Sequence, residues 1–234
     1  MGKPAPGPSK TWIGTSGDDV KAVASLTDLK TTNYNAGGGY DTLDLSALTT
    51  GVSIQISATT QGNNLQPHSL LWPDSPFHGS WWSWDSSTQV GAKITDSILN
   101  FEKVVGTNGN DHISSAYPVA VNVTIDGGAG DDSLSGARTE IGGLGSDQIV
   151  GGASADRYIG GTFDGVHATP DGTMDEFFLS AGTVLDFEVG IDRLYVDSSY
   201  ATSAWTDVIT AYGPAAQIHL TQPNDDRTVT LVGV

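Results

Sequence analysis

Nine residues, Gly127-Gly128-Ala129-Gly130-Asp131-Asp132-Ser133-Leu134-Ser135, recur position for position as Gly142-Gly143-Leu144-Gly145-Ser146-Asp147-Gln148-Ile149-Val150. The shared pattern is G-G-x-G-x-D-x-U-x, with U a large apolar residue. Gly127, Gly128 and Gly130, like Gly142, Gly143 and Gly145, let the chain take positive φ values and pack without a side chain in the way, so a few residues can reverse it. The apolar residue then points inward. Asp132 and Asp147 sit where a carboxylate can join turn carbonyls around a hard cation, so calcium binding is the chemistry expected of a nonapeptide of this form.

Degenerate copies extend the array. Gly106-Thr107-Asn108-Gly109-Asn110-Asp111-His112-Ile113 keeps Gly106, Gly109, Asp111 and the apolar residue. Gly151-Gly152-Ala153-Ser154-Ala155-Asp156-Arg157-Tyr158-Ile159 exchanges one glycine for Ser154 and puts Tyr158 inward. Ala36-Gly37-Gly38-Gly39-Tyr40-Asp41-Thr42-Leu43 is nearly complete, and Gly14-Thr15-Ser16-Gly17-Asp18-Asp19 opens the series with Lys21 in the apolar position. Asp19, Asp41, Asp111, Asp132, Asp147 and Asp156 thus share one motif position. A single such turn is explained by an aspartate bonding its own backbone. A series is different, because carboxylates stacked at a strand spacing of about 4.8 Å repel unless a cation separates them.

The elements that position these aspartates follow from the spacing. Short β-type runs between glycine turns predict a flattened parallel coil in which each full turn needs two reversals, one on each edge. Counting edges puts the turns at Gly106, Gly127 and Gly142 on one edge and that at Gly151 on the other, with Gly136 to Ile141 a shortened opposite reversal. Calcium is expected between Asp111 and Asp132 and between Asp132 and Asp147, with a further site bracketed by Asp19 and Asp41. Asp164 and Asp171, in an enlarged turn from Gly160 to Gly172, are candidate ligands or parts of a plain loop.

Composition sets limits. The chain has 234 residues, 27 acidic against 10 basic, a formal charge of −17 and no cysteine. Such a field repels nucleic acid and anionic membranes and suits divalent cations. Absence of cysteine excludes disulfides and thiolate metal sites. No apolar run approaches the roughly 20 residues of a membrane span. Met1 to Lys10 is Pro/Gly-rich with no apolar segment, so it reads as a linker or expression remnant and carries no secretory signal. H-E-x-x-H, G-x-S-x-G, a P-loop and a cysteine nucleophile are all missing, so no catalysis is expected.

The repeats resemble the repeats-in-toxin (RTX), or hemolysin-type, family. Gly39 to Ser46, Gly51 to Ile56 and Ile98 to Gly106 look like segments joining repeat blocks in large secreted members. Asp175 to Leu179, Val184 to Leu194 and Thr230 to Val234 look like the region closing the roll in serralysin-type proteases and RTX lipases. The resemblance implies an all-β fold, a right-handed parallel β-roll over residues 13–160, with a β-rich capping, secretion-associated region over 161–234 after a linker of 1–12. It also implies calcium as cofactor, export by the type I secretion machinery of a Gram-negative bacterium, and folding on extracellular calcium.

One segment departs from the array. Residues 57–93 form an insertion holding Trp72, Trp81, Trp82 and Trp84, with His68, His78, Asp74 and Asp85. The tryptophans suit either a lid over an end of the coil or an aromatic surface for polysaccharide or a host cell surface, which would make the chain a calcium-dependent adhesin or lectin. The histidines and carboxylates follow no ligand spacing.

Overall fold

The computed structural model describes residues 10–58, 65–67, 98–99, 101–115, 123–151, 156–196, 201–210, 213–222 and 225–233. Short strands with one central apolar residue and glycine turns at their ends cannot bury that residue alone, so they stack. A ten-stranded sheet runs β2 (Val20–Ala22), β4 (Thr42–Asp44), β8 (Lys103–Val105), β10 (Thr124–Ala129), β12 (Thr139–Leu144), β14 (Arg157–Ile159), β18 (Gly182–Val184), β22 (Asp225–Val232), β21 (Gly213–Gln222), β20 (Ala201–Thr210). A seven-stranded sheet runs β19 (Arg193–Val196), β17 (Glu176–Leu179), β13 (Gln148–Val150), β11 (Ser133–Ser135), β9 (His112–Ser115), β5 (Ser53–Ala58), β6 (Leu65–Pro67). A small sheet of β1 (Lys10–Ile13), β3 (Thr32–Asn35) and β7 (Ile98–Leu99) completes the N-terminal end, where α1 (Leu26–Thr31) links β2 to β3. Lys10 to Trp12, grouped by composition with the linker, are therefore strand.

The all-β class read from the sequence holds, and pairing from β2 to β19 is chiefly parallel. From β8 to β14 successive strands alternate between the two large sheets, so each parallel neighbour is two strands away in sequence. The parallel pairing continues past residue 160 through β17, β18 and β19. Only then does it give way to the antiparallel β20–β21–β22, tied on by β22 lying parallel to β18.

Register decides the core. Ile54, Ile113, Leu134, Ile149, Phe177 and Leu194 form one cross-strand row in the seven-stranded sheet. Leu43, Val104, Ile125, Glu140, Tyr158, Val184 and Leu231 form its counterpart in the other. These inward positions are buried, Leu194 at the sheet edge only partly, because alternate strand residues share a face. Glu140 is the acidic exception in its row. Lys21, paired with Leu43, keeps its ammonium 5.9 Å from the ring centres of both Trp12 and Tyr34, which solvates the charge with aromatic faces.

One residue beyond the inward row, Ile141, Ile159, Leu185 and Val232 form a second apolar cluster on the opposite face. The enlarged turn after β14 covers it: β15 (Thr162–Phe163) and β16 (Ala168–Thr169) form a hairpin that packs Phe163 and Ala168 on this cluster. The long turn is thus a folded strap on the outer face of the sheet.

Candidate metal centre

From β8 onward, each turn that leads from the ten-stranded sheet into the seven-stranded one ends on an aspartate, and sheet register places these side by side. Val52 N donates to Asp111 Oδ1 (2.7 Å), Asp111 N to Asp132 Oδ1 (2.7 Å) and Asp132 N to Asp147 Oδ1 (2.8 Å). The series goes on with Asp147 N to Asp175 Oδ1 (2.9 Å) and Asp175 N to Asp192 Oδ1 (3.1 Å). Each aspartate therefore spends one carboxylate oxygen on the N–H of the rung before it.

The second oxygen is the chemically informative one. Asp132 Oδ2 and Asp147 Oδ2 are buried and meet no hydrogen-bond donor. They lie against the first glycines of their own repeats. A Cβ on Gly127 would strike Asp132 Oδ2 and the Gly142 carbonyl, and one on Gly142 would strike Asp147 Oδ2 and the Gly160 carbonyl. Gly106 stands in the same relation to Asp111 Oδ2 and the Gly127 carbonyl. Carboxylate and carbonyl oxygens from adjacent turns thus crowd one side of each rung; Asp111 Oδ2 accepts the Thr107 N–H there, whereas at Asp132 and Asp147 no donor is present. Gly143 (φ 112°) and Gly145 (φ 123°) take the left-handed conformation that turns these carbonyls, which a side chain would strain.

Electrostatics carry the same message. Burial pushes the Asp147 carboxyl up to about 9 and Asp132 up to about 8, with neighbouring carboxylates adding to the rise. Asp175 rises to about 7 and Asp111 to about 6, again chiefly through burial. Among the described residues the ion pairs are Lys10–Asp28, Lys103–Asp126, His167–Asp164 and Arg193–Glu176, so none reaches a member of this row. An oxygen-only donor set, buried, uncompensated and partly orphaned, fits calcium. No group of three Asp, Glu or His side chains able to hold a metal is present among the described residues. A cation in one of these gaps would meet two carboxylates and would draw its remaining oxygens from the main chain.

The other expected residues fall as follows. Asp19 and Asp41 are adjacent on the opposite edge, with Asp19 N donating to Asp41 Oδ1 (2.7 Å). Asp156 lies on that edge too, at the start of β14, away from Asp147 despite its nearness in sequence. Gly109 and Gly151 belong to the turns of their repeats; a Cβ on Gly151 would strike the Tyr158 ring rather than a carboxylate. Asp164 is engaged by Val166 N, His167 N and the His167 ring, a local turn at the hairpin tip. Asp171 Oδ2 accepts from Gly145 N (2.9 Å), which ties the strap back to the aspartate edge. Trp72, Trp81, Trp82, Trp84, His68, His78, Asp74 and Asp85 lie outside the described residues.

Asp175 and Asp192 were not among the residues expected from the motif. The Asp175 turn has lost the motif glycines and the Asp192 turn keeps only Gly190 (φ 87°), yet both keep the tail, D-x-U, as Asp175-Glu176-Phe177 and Asp192-Arg193-Leu194. That tail was the available signal.

No family model matches this sequence, and no curated protein does either. Among solved structures the chain is similar to the extracellular lipase LipA from Serratia marcescens at a TM-score of 0.24 and 16% identity, over 96% of this chain and 36% of the lipase. The chain spans little more than a third of that protein, and a likeness this low decides neither fold nor function.

Proposed function

We propose that the chain is a calcium-binding β-roll of the RTX type, without catalysis of its own, that folds when calcium fills the gaps between stacked aspartates. The observation that carries this reading is the row Asp111–Asp132–Asp147–Asp175–Asp192, at whose centre the second carboxylate oxygens of Asp132 and Asp147 are buried without donors. Without cations the folded state must bury these charges or protonate them, while a net charge of −17 and 30 glycines favour the open chain. With cations each buried carboxylate gains its counter-charge.

The physiological setting in this proposal is extracellular. Modules of this kind bind at about 10⁻⁴ to 10⁻³ M, so they stay empty in a cytoplasm and fill outside, and the disordered form is the one that threads a type I secretion channel. A site held at about 100 times its dissociation constant adds about 2.7 kcal/mol, and several coupled sites turn this into a steep switch. No helix among the described residues is long and apolar enough to cross a membrane.

The test is circular dichroism and calorimetry on calcium-stripped protein. The expected result is a largely disordered chain that becomes β-rich cooperatively as calcium is added, with several ions bound per chain. A β-rich fold in EGTA whose stability ignores calcium would overturn the proposal.

A further inference from the structure

The edge opposite the main row holds a carboxylate that the nonapeptide pattern does not contain. Val20 pairs with Thr42 and Thr42 with Lys103, so the residues immediately before them, Asp19, Asp41 and Glu102, occupy equivalent rungs. They are joined as the main row is: Asp19 N donates to Asp41 Oδ1 (2.7 Å), and Asp41 N donates to Glu102 Oε2 (2.8 Å). Asp41 is wholly buried, and its Oδ2 meets no donor. The nearest basic side chain in sequence, Lys103, is turned away to Asp126 at 3.0 Å.

Asp19 and Asp41 are presented by glycine turns, whereas Glu102 follows Ile98, Leu99 and Phe101, and Phe101 is committed to the core. The Glu102 side chain, one methylene longer than an aspartate's, brings its carboxylate to the Asp41 N–H as Asp41 brings its own to the Asp19 N–H. The E-x-U sequence Glu102-Lys103-Val104 then matches the D-x-U tail of the true repeats.

We infer that Glu102 and Asp41 hold a divalent cation, of the calcium class, between them, and that this site closes a second cation row running from Asp19. The inference rests on the calcium reading above but concerns a ligand outside the repeat motif. It also joins the two rows. Glu102 precedes β8, and Asp111 ends the turn that follows it, so a single three-residue strand is anchored at both ends.

Calcium stoichiometry on the full chain tests this, by calorimetry of the unaltered protein and of Glu102→Gln, which keeps the acceptor for Asp41 N but removes the charge. The expected result is one ion fewer per chain in Glu102→Gln, with the calcium-saturated β spectrum retained. Equal stoichiometry and affinity in the two proteins overturns the Glu102 site while leaving the main row standing; an unaltered chain that binds no calcium overturns the calcium reading itself. Should Glu102→Gln fail to fold, a calcium-loaded crystal of the unaltered chain decides. An anomalous peak between Asp41 and Glu102 supports the site, and peaks confined to the Asp132–Asp147 gap overturn it.

Discussion

Replacing Asp147 by asparagine separates a cation site from a hydrogen-bond ladder, because the two readings predict opposite signs. Asp147 Oδ1 accepts the Asp132 N–H, and an asparagine carbonyl keeps that bond. Oδ2 is the buried orphan beside Gly142 and the Gly160 carbonyl, and an asparagine puts an amide donor in its place. The carboxyl is pushed from an ordinary 3.8 to about 9 in the cation-free fold. At pH 7.5 folding must therefore bind a proton there, which at about 1.4 kcal/mol per pH unit above 3.8 costs about 5 kcal/mol. Asp147→Asn removes that cost. It should stabilise the calcium-free fold by up to this amount, shared with Asp132 and Asp175, whose charges act on it. In calcium the sign reverses. Asp147 borders the gaps to both Asp132 and Asp175, so the variant should need at least about tenfold more calcium for half-folding, a loss of about 1.4 kcal/mol or more. The folded fraction by circular dichroism in EGTA and denaturant melts in millimolar calcium measure the two arms. Equal destabilisation in the two conditions would refute the cation reasoning and leave the row a ladder of Asx-type bonds.

Other expectations follow from the same geometry. Asp111, Asp132, Asp147 and Asp175 all have folded values above the unfolded 3.8, so the calcium-free fold binds more protons than the unfolded chain. The stability they contribute is fully present below about pH 4 and is lost as pH rises through about 6 to 9. Calcium-free protein should thus be more folded at pH 5 than at pH 8, and calcium affinity should rise over that range; melts showing the reverse order would count against the burial of these groups. Glu140, pushed up to about 8 by burial and sitting between Ile125 and Tyr158, accepts Ala137 N through Oε1 while its Oε2 has no partner. Glu140→Gln keeps the bond and needs no proton, so it should raise stability at pH 7.5 by about 1 kcal/mol or more, whereas Glu140→Leu strands a buried N–H and should gain less. Gly142→Ala drives a methyl into Asp147 Oδ2 and the Gly160 carbonyl, and should weaken calcium binding and cost more than about 2 kcal/mol in melts run with calcium. Phe177→Ala, which empties a wholly buried core position without removing any hydrogen bond of the carboxylate row, should cost about 3–5 kcal/mol in melts run with calcium while leaving the number of ions bound per chain unchanged.

Local pattern was the readable part of this chain. The D-x-U tail declares a carboxylate at a turn followed by a strand with one inward residue, and the described copies of it behave so, including those at Asp175 and Asp192, where most or all of the motif glycines are gone. Tyr158 in an apolar position was legible for the same reason. Lys21 was marked as misplaced in the sequence, and only the packed N-terminus shows why it is tolerated, since Trp12 and Tyr34 come from other strands to receive its ammonium.

By itself the sequence determined an all-β chain of short strands, the turns that separate them and the edge on which the strong repeats meet, because glycine freedom and period-two alternation act within a few residues. Tertiary structure alone decided who neighbours whom. The rungs of the main row lie 21, 15, 28 and 17 residues apart, so no constant period reveals them. A rung spacing of 28 residues accommodates a strap that leaves the edge, covers Ile141, Ile159 and Leu185, and returns to place Asp175 beside Asp147. Asp156, only nine residues from Asp147, is carried by one strand to the far edge, and Glu102 reaches the rung of Asp41 from 61 residues away. Burial and repulsion among carboxylates belong to such neighbours in space, and parallel pairing between distant strands is what creates them.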